Sequence, residues 1–447
     1  MKKFILLFLF TVIVFSVKAQ IVNIPDANFK NALIASNCVD TNSDGTPDSD
    51  ADLNNDGEIQ VSEAEAVINL NVYQKSIVSM EGLQSFVNIE TLECSYNFFA
   101  SIDLSQNVNL LTLACNYNNV LTELDLSNNA ELTSLNCYVN INLTYLDVTQ
   151  NTNLEYINCV GSLLTSLDVS QHLMLKELYC GFGLIPYVDV TNNLMLTHFD
   201  CGSFSLMQLD VTQNIDLLHL TIDLGQMTSL DLSQNTNLRA LNFEGGSLTS
   251  IDLSQNTALE EVVMGFSQFP TVDFSNNPNL RTLNGNYSEF TSLDLSQNFS
   301  LEVLSLVANS MTELNIQNGN NLNLEVLEIN NNPNLSCVQV DDEVYANSNT
   351  DWQKDTTTVY SENCLLSIED VGERAQISIY PNPTNGSLYI ESQNVITVDL
   401  TIIDMQGRIV KTIPASNFVD VSQLTSGLYF LKIASEGIVR TKKFIKN

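Results

Sequence analysis

The chain has 447 residues, 52 acidic against 17 basic, for a formal net charge of −35 at pH 7. So acidic a field excludes nucleic acid and anionic membrane surfaces as partners. Hydrophobic residues make up 44%, enough for a packed core, while eight of the 17 basic residues crowd between Arg374 and Lys446, marking the tail as a different module.

Lys2 and Lys3 precede an apolar run from Phe4 to Val17, and Val17 and Ala19 stand at the −3 and −1 positions before Gln20. Residues 1–19 therefore read as a secretory signal peptide. The run is short for a spanning helix, and no later segment is apolar for about 18 residues. No transmembrane span is expected once the signal is removed, and the compartment is oxidising.

Residues 20–82 read as an N-terminal cap, which an exposed solenoid end needs. Ile24 to Ile34 is a short helix with Asp26 available as N-cap. Residues 52–63, DLNNDGEIQVSE, match the EF-hand loop position by position. Asp52, Asn54 and Asp56 stand at positions 1, 3 and 5, Gly57 makes the sharp turn, and Glu63 closes the loop at position 12. The Glu58 carbonyl and Gln60 complete an all-oxygen set of the kind that holds Ca²⁺. Asp40, Asn42 and Asp44 repeat the first half, but Ala51 stands where Glu is needed, so a second ion has a weaker set. Calcium is expected as a structural cofactor of the cap.

From 83 to 340 the chain repeats with a period of 21 to 23 residues. Cys94, Cys115, Cys137, Cys159, Cys180, Cys201, Ile222, Phe243, Met264, Gly285, Leu306 and Ile329 form one column. Such periods mark solenoids, in which each coil buries its apolar face only against its neighbours. Because the column continues as Ile, Phe, Met and Leu, its cysteines read as buried apolar filler rather than as disulfides or a metal set. A second column runs Asn107, Asn129, Asn151, His172, Asn193, Asn214, Asn235, Asn256, Asn277 and Asn298, whose side chains can satisfy backbone groups freed where each coil turns. His172 reads as a structural substitute in it. Asp103, Asp125, Asp147, Asp168, Asp189, Asp210, Asp231, Asp252, Asp273 and Asp294 form a third column. It reads as a solvated face whose carboxylates accept from Ser/Thr hydroxyls or backbone amides of adjacent coils, with a cation ladder as the rival reading.

The units LTSLNCYVN and LTYLDVTQN (132–140 and 143–151) show the pattern. On these residues the chain resembles a bacterial leucine-rich-repeat protein of the nested class, in which two half-repeats make one coil. The resemblance covers about residues 83–340. Residues 341–366 read as a C-cap in which Cys337 and Cys364, flanking the only tryptophan (Trp352), form a disulfide. Cys38 is left without a partner.

The composition changes after Leu365. Strands are expected over Ser387–Glu391, Thr397–Asp404, Arg408–Ile413 and Leu428–Ala434, with turns at 404–407 and 425–427. YPNP, DMQGR, LTSGLYFLKI and the basic end KKFIKN together resemble the C-terminal sorting domain of the type IX secretion system, over residues 367–447. That resemblance implies a Gram-negative host, passage through the periplasm, contact with the secretion machinery, and a secreted or outer-membrane-surface destination. The expected fold is mainly β: a leucine-rich-repeat solenoid with a small helical, EF-hand-like N-cap, followed by a C-terminal antiparallel β-sandwich of immunoglobulin type.

No nucleophile elbow, HExxH or phosphate-cradling loop is present, so an enzyme is not expected. The candidate binding face is the outward side of the LxxLxC strands, carrying Tyr138, Tyr156, Lys176, Tyr179, His198, His219, Arg239 and Arg281. Basic and aromatic side chains on an acidic body suit recognition of, or adhesion to, an extracellular protein or glycan. The alternative is a structural component of the cell surface or matrix with no specific ligand.

Overall fold

The computed structural model describes residues 20–203, 205–223, 226–364, 377–392, 399–404, 408–414, 416–435 and 438–447. The signal peptide and the 405–407 part of one tail turn lie outside them. Two compact units divide the chain at Cys364 and Leu365.

The first unit is a solenoid. Its long sheet has thirteen parallel strands, running from Asn69–Asn71 through Tyr156–Asn158 and His198–Asp200 to Val326–Glu328, each paired with the corresponding strand of the coil before and after it. The sheet begins inside the segment assigned to the cap: Leu70 pairs with Leu92, and Val72 heads the column that continues as Cys94. Most strands are three residues long because the chain turns soon after the column residue, with positive φ at Tyr96, Tyr117, Val139, Phe182, Phe266 and Tyr287. At the C-terminal end the second half-repeats also become strands, giving a four-stranded parallel sheet of Ser292–Asp294, Glu313–Asn315, Cys337–Gln339 and Val359–Ser361.

The interior is continuous. Leu132, Leu135 and Cys137 are fully buried, as are their counterparts Leu154, Ile157 and Leu175 in the following coils. Each buried leucine contributes about 1.5–3 kcal/mol. The seven cysteines outside the disulfide are all buried, and burial pushes the thiols of Cys94, Cys115, Cys137, Cys159 and Cys180 well above their ordinary pKa.

Two polar ladders tie the coils together. In the Asn107 column each Nδ2 donates to two carbonyls of the preceding coil; Asn235 reaches Val211 and Asn214, both at 2.9 Å. His172 holds its place by one bond, Nε2 to the Val148 carbonyl at 3.0 Å. The second ladder is the closing Asn of LxxLxCxxN. Asn118 donates to the Cys94 and Cys115 carbonyls and accepts from the Asn97 N–H. Ser162, Ser267 and Ser288 replace it in the middle of the solenoid, and Asn309 and Asn332 restore it.

Both ends are closed. The helix Ala27–Ala35 is capped by Asp26, whose Oδ1 accepts from Asn28 and Phe29 and whose Oδ2 accepts from Val78 and Ser79 of the first coil. Burial alone would raise that carboxyl's pKa; the four N–H donors outweigh it and hold it low. At the far end Cys337 and Cys364 form the expected disulfide, with Cα atoms 5.7 Å apart. Trp352 is buried there between Tyr345 and Tyr360, and its Nε1 donates to the Leu324 carbonyl at 3.0 Å.

The second unit has two antiparallel sheets, one of three strands and one of four. Leu388 and Val419 of one join Leu400, Ile402, Leu431 and Phe444 of the other in a single core. Besides the four expected strands there are Ile377–Tyr380, Phe418–Asp420 and Ile438–Lys446. The last of these takes in the basic end KKFIKN; its Phe444 is buried and its residues pair along the whole of Gly427–Ser435.

Asn235→Ala would remove two cross-coil bonds, leaving the Val211 and Asn214 carbonyls with only the main-chain N–H groups of Asn214 and Leu217, and should destabilise the solenoid by about 1–3 kcal/mol in urea unfolding. Asn235→His, the residue found at 172, should lose less.

Candidate binding face

Residues on the outward side of the long sheet fall into columns that run across the coils. The column just before the strands contains Glu155, Lys176, Arg239, Glu260, Arg281 and Glu302. All three basic residues are paired within it. Lys176 meets Glu155 at 2.6 Å, Arg239 meets Glu260 at 3.1 Å, and Arg281 meets Glu302 at 2.7 Å. The side chains are between 37% and 59% exposed, so each pair is worth at most about 1 kcal/mol. These cations are thus part of alternating-charge rows.

One strand position further on, Tyr156 opens its strand and His198 and His219 sit directly opposite each other. The two imidazoles stack with centroids 4.4 Å apart and planes 9° apart. Burial and the neighbouring His198 push the His219 pKa down. Tyr156 and Tyr179 have rings 5.8 Å apart, and Tyr179 donates its hydroxyl to Glu177 at 3.0 Å. Burial and that carboxylate push its phenol pKa up.

The eight residues expected on this face do not form one patch. Tyr156, Tyr179, His198 and His219 lie on four successive strands, with Lys176 just before the second of them. Arg239 and Arg281 lie further along, each bound to its glutamate. Tyr138 belongs to a separate run, Tyr73, Tyr96, Tyr117 and Tyr138, with successive ring centroids 5.2, 4.2 and 5.3 Å apart. The first three of that run were missed because Tyr73 precedes the start assigned to the repeat, and Tyr96 and Tyr117 stand one place further from the buried column than Tyr138. The recurring tyrosine in CSYN, CNYN and CYVN was the available signal.

The aspartate column is resolved in favour of local bonding, with one correction. Each of the ten accepts from the N–H two residues on, within its own coil and not from an adjacent one, at 2.9–3.0 Å. Contacts across coils are few, as from Asn315 to Asp294 and from Gln84 to Asp103, both at 3.0 Å. The hydroxyl of the same Ser or Thr, which donates at 2.7 Å to Asp147, Asp168 and Asp210, and these N–H bonds hold eight of the ten carboxyls below their ordinary pKa. A shallow cleft of about 500 Å³ between Asp125 and Asp147 also holds the exposed Tyr145. Both aspartates are shifted in the same direction, whereas acid–base chemistry needs two carboxyls pushed apart.

The two loops of the N-cap share one backbone. Asp52 accepts from Asp56 and Gly57, and Asp40 from Asp44 and Gly45; Asn54 and Asn42 each accept from the N–H two residues on. Left-handed turns fall at Asn55 and Gly57, and at Ser43 and Gly45. Asp52 and Glu63 are 3% and 6% exposed. The donors are all oxygen, which suits calcium. Glu63, however, accepts from Asn54 and Gln60 in a capping box, and Glu58 pairs with Lys30 at 2.6 Å. Among the described residues no three His, Cys, Asp or Glu side chains converge as a metal set.

Residues 378–447 match the family model described as a secretion system C-terminal sorting domain. No curated protein matches the chain. Among solved structures, the functional domain of InlJ from Listeria monocytogenes, described as including a cysteine ladder, is 26% identical with a TM-score of 0.61. The match covers 96% of this chain and 99% of that one. Internalin InlF, also from Listeria monocytogenes, is 17% identical over 76% of this chain and 98% of its own, with a TM-score of 0.46. The chain is a leucine-rich-repeat solenoid carrying a type IX sorting domain, and that domain marks it for export to the surface or the medium of a Gram-negative bacterium. Among the described residues no helix is long and apolar enough to cross a membrane.

A depressed carboxyl stabilises the fold above the unfolded pKa of 3.8, and the stabilisation is lost as pH falls through the lower folded value. Asp147→Ala with Asp210→Ala should therefore lower the melting temperature at about pH 7, and the gap to the parent should shrink at about pH 2.

Proposed function

We propose that this exported leucine-rich-repeat protein recognises, or adheres to, an extracellular protein or glycan through the outward face of its long sheet, without catalysing a reaction. The observation that carries the reading is a contrast between columns. Inward positions repeat Leu, Cys and Asn coil after coil because packing demands it. At the outward position beside them, neighbouring strands carry Tyr156, Glu177, His198 and His219. Variation confined to the side that packing leaves free is what a recognition surface uses.

The test is a glycan and protein array probed with the full chain. Reversing charge at Lys176, Arg239 and Arg281 breaks three cross-coil pairs and should weaken hits on this face about tenfold. If every hit kept its affinity, the paired basic residues would have no part in recognition.

Calcium is proposed as a structural ion of the cap, held by Asp52, Asn54, Asp56, the Glu58 carbonyl, Gln60 and Glu63, with a weaker second seat at Asp40, Asn42 and Asp44. It would neutralise carboxylates that are buried beside few cations. Saturating calcium should raise the melting temperature by about 5 °C, and Asp52→Asn with Glu63→Gln should abolish the response. A melting temperature indifferent to chelator would remove the proposal.

A further inference from the structure

The repeat carries its own control at the turn that leads into each strand of the long sheet. Two successive positions there precede a buried leucine such as Leu110, Leu175 or Leu196. In six coils the second position is an asparagine: Asn323 donates to Asn320 Oδ1 at 2.6 Å, and the other five are Asn88, Asn109, Asn153, Asn237 and Asn279. Each of the latter donates its Nδ2 to a main-chain carbonyl of the preceding coil at 2.8–3.2 Å. At 174 and 195 the same position is methionine, which has no donor. The first position in these coils and the next is Leu173, Leu194 and Ile215.

These five side chains are 40–61% exposed, on three coils whose strands are direct neighbours. Methionine here gives up a cross-coil hydrogen bond and puts apolar surface in water, so it serves neither packing nor solubility. We infer that Leu173, Met174, Leu194, Met195 and Ile215 are the anchor by which the solenoid holds a protein partner that brings apolar side chains within a basic rim. The inference rests on the recognition reading above and narrows its partner from protein or glycan to protein.

The chemistry of the patch selects that occupant. Aliphatic and thioether side chains offer little to a polyhydroxylated glycan, whereas methionine adapts its shape to apolar protein surface. Glu177, Asp200 and Asp216 stand in the same coils, and the nearby cation, Lys176, is already paired with Glu155 at 2.6 Å. A basic rim is therefore the complementary one. A second copy of this chain fits poorly, because it carries the same acidic rim.

The test uses the full chain and its Met174→Asn, Met195→Asn double variant, at physiological salt. The probes are two synthetic peptides of equal positive charge, an amphipathic one of Leu and Lys and one of Gln and Lys, with phosphatidylcholine vesicles as a third. The Leu/Lys peptide should bind the parent and lose at least tenfold in affinity for the variant. The Gln/Lys peptide should bind both weakly and equally. The variant's unfolding midpoint should stay or rise, because asparagine restores the cross-coil bonds. Equal affinity of the Leu/Lys peptide for both proteins, or a lowered midpoint, would overturn the anchor. So would parent dimers seen by sedimentation and lost in the variant, or vesicle binding lost in the variant. Array hits on the parent that persist unchanged in the variant would remove the anchor and leave the recognition reading standing; an array with no hits would remove that reading itself.

Discussion

Stacking at strand spacing is the constraint on which this molecule depends. Every coil must turn inside the stack, and each turn strands main-chain carbonyls away from water. The Asn107 column answers this with one amide per coil and two bonds to the coil before it. The cost is a buried Oδ1 without a partner in each of these asparagines. Each of these carbonyls also accepts a main-chain N–H, as Val211 does from Asn214, so the column's contribution is the second bond that ties one coil to the next. His172 is tolerated because its Nε2 still reaches one of the two carbonyls.

Because the interior and the ladders carry the stability, the outward residues are free to vary. The ion pairs on the sheet face are exposed and worth little energetically; they fix where long side chains lie. The aspartate column works similarly at shorter range, closing a turn within each coil. Its members share one local bonding pattern, each accepting from the N–H two residues on. A row of identical carboxylates is consequently a structural device, and the functional positions are those where neighbouring coils differ.

Much of this was legible along the chain. The cysteine column, the Asp26 cap and the Cys337–Cys364 bridge each follow from composition at a fixed period or from a local motif. The start of the sheet at Asn69 was obscured because Val72, unlike Cys94, does not stand out in a run of ordinary apolar residues. The final strand of the tail was obscured by its lysines, which alternate with buried Phe444. Of the tyrosine run, only Tyr138 was legible; Tyr73, Tyr96 and Tyr117 stayed hidden because the run shifts by one place relative to the column, and only ring geometry shows that its members meet.

The sequence by itself determined the solenoid, its period, its inner wall and its sorting tail, because burial against identical neighbours writes the same residue at the same interval. Only the tertiary structure decided what stands next to what on the outside. It paired Lys176, Arg239 and Arg281 with glutamates about one coil away, stacked His198 on His219, and placed Met174 and Met195 where other coils bind each other. Such contacts arise between residues some 21 positions apart, and no local propensity records them; the coil spacing of the folded stack creates them.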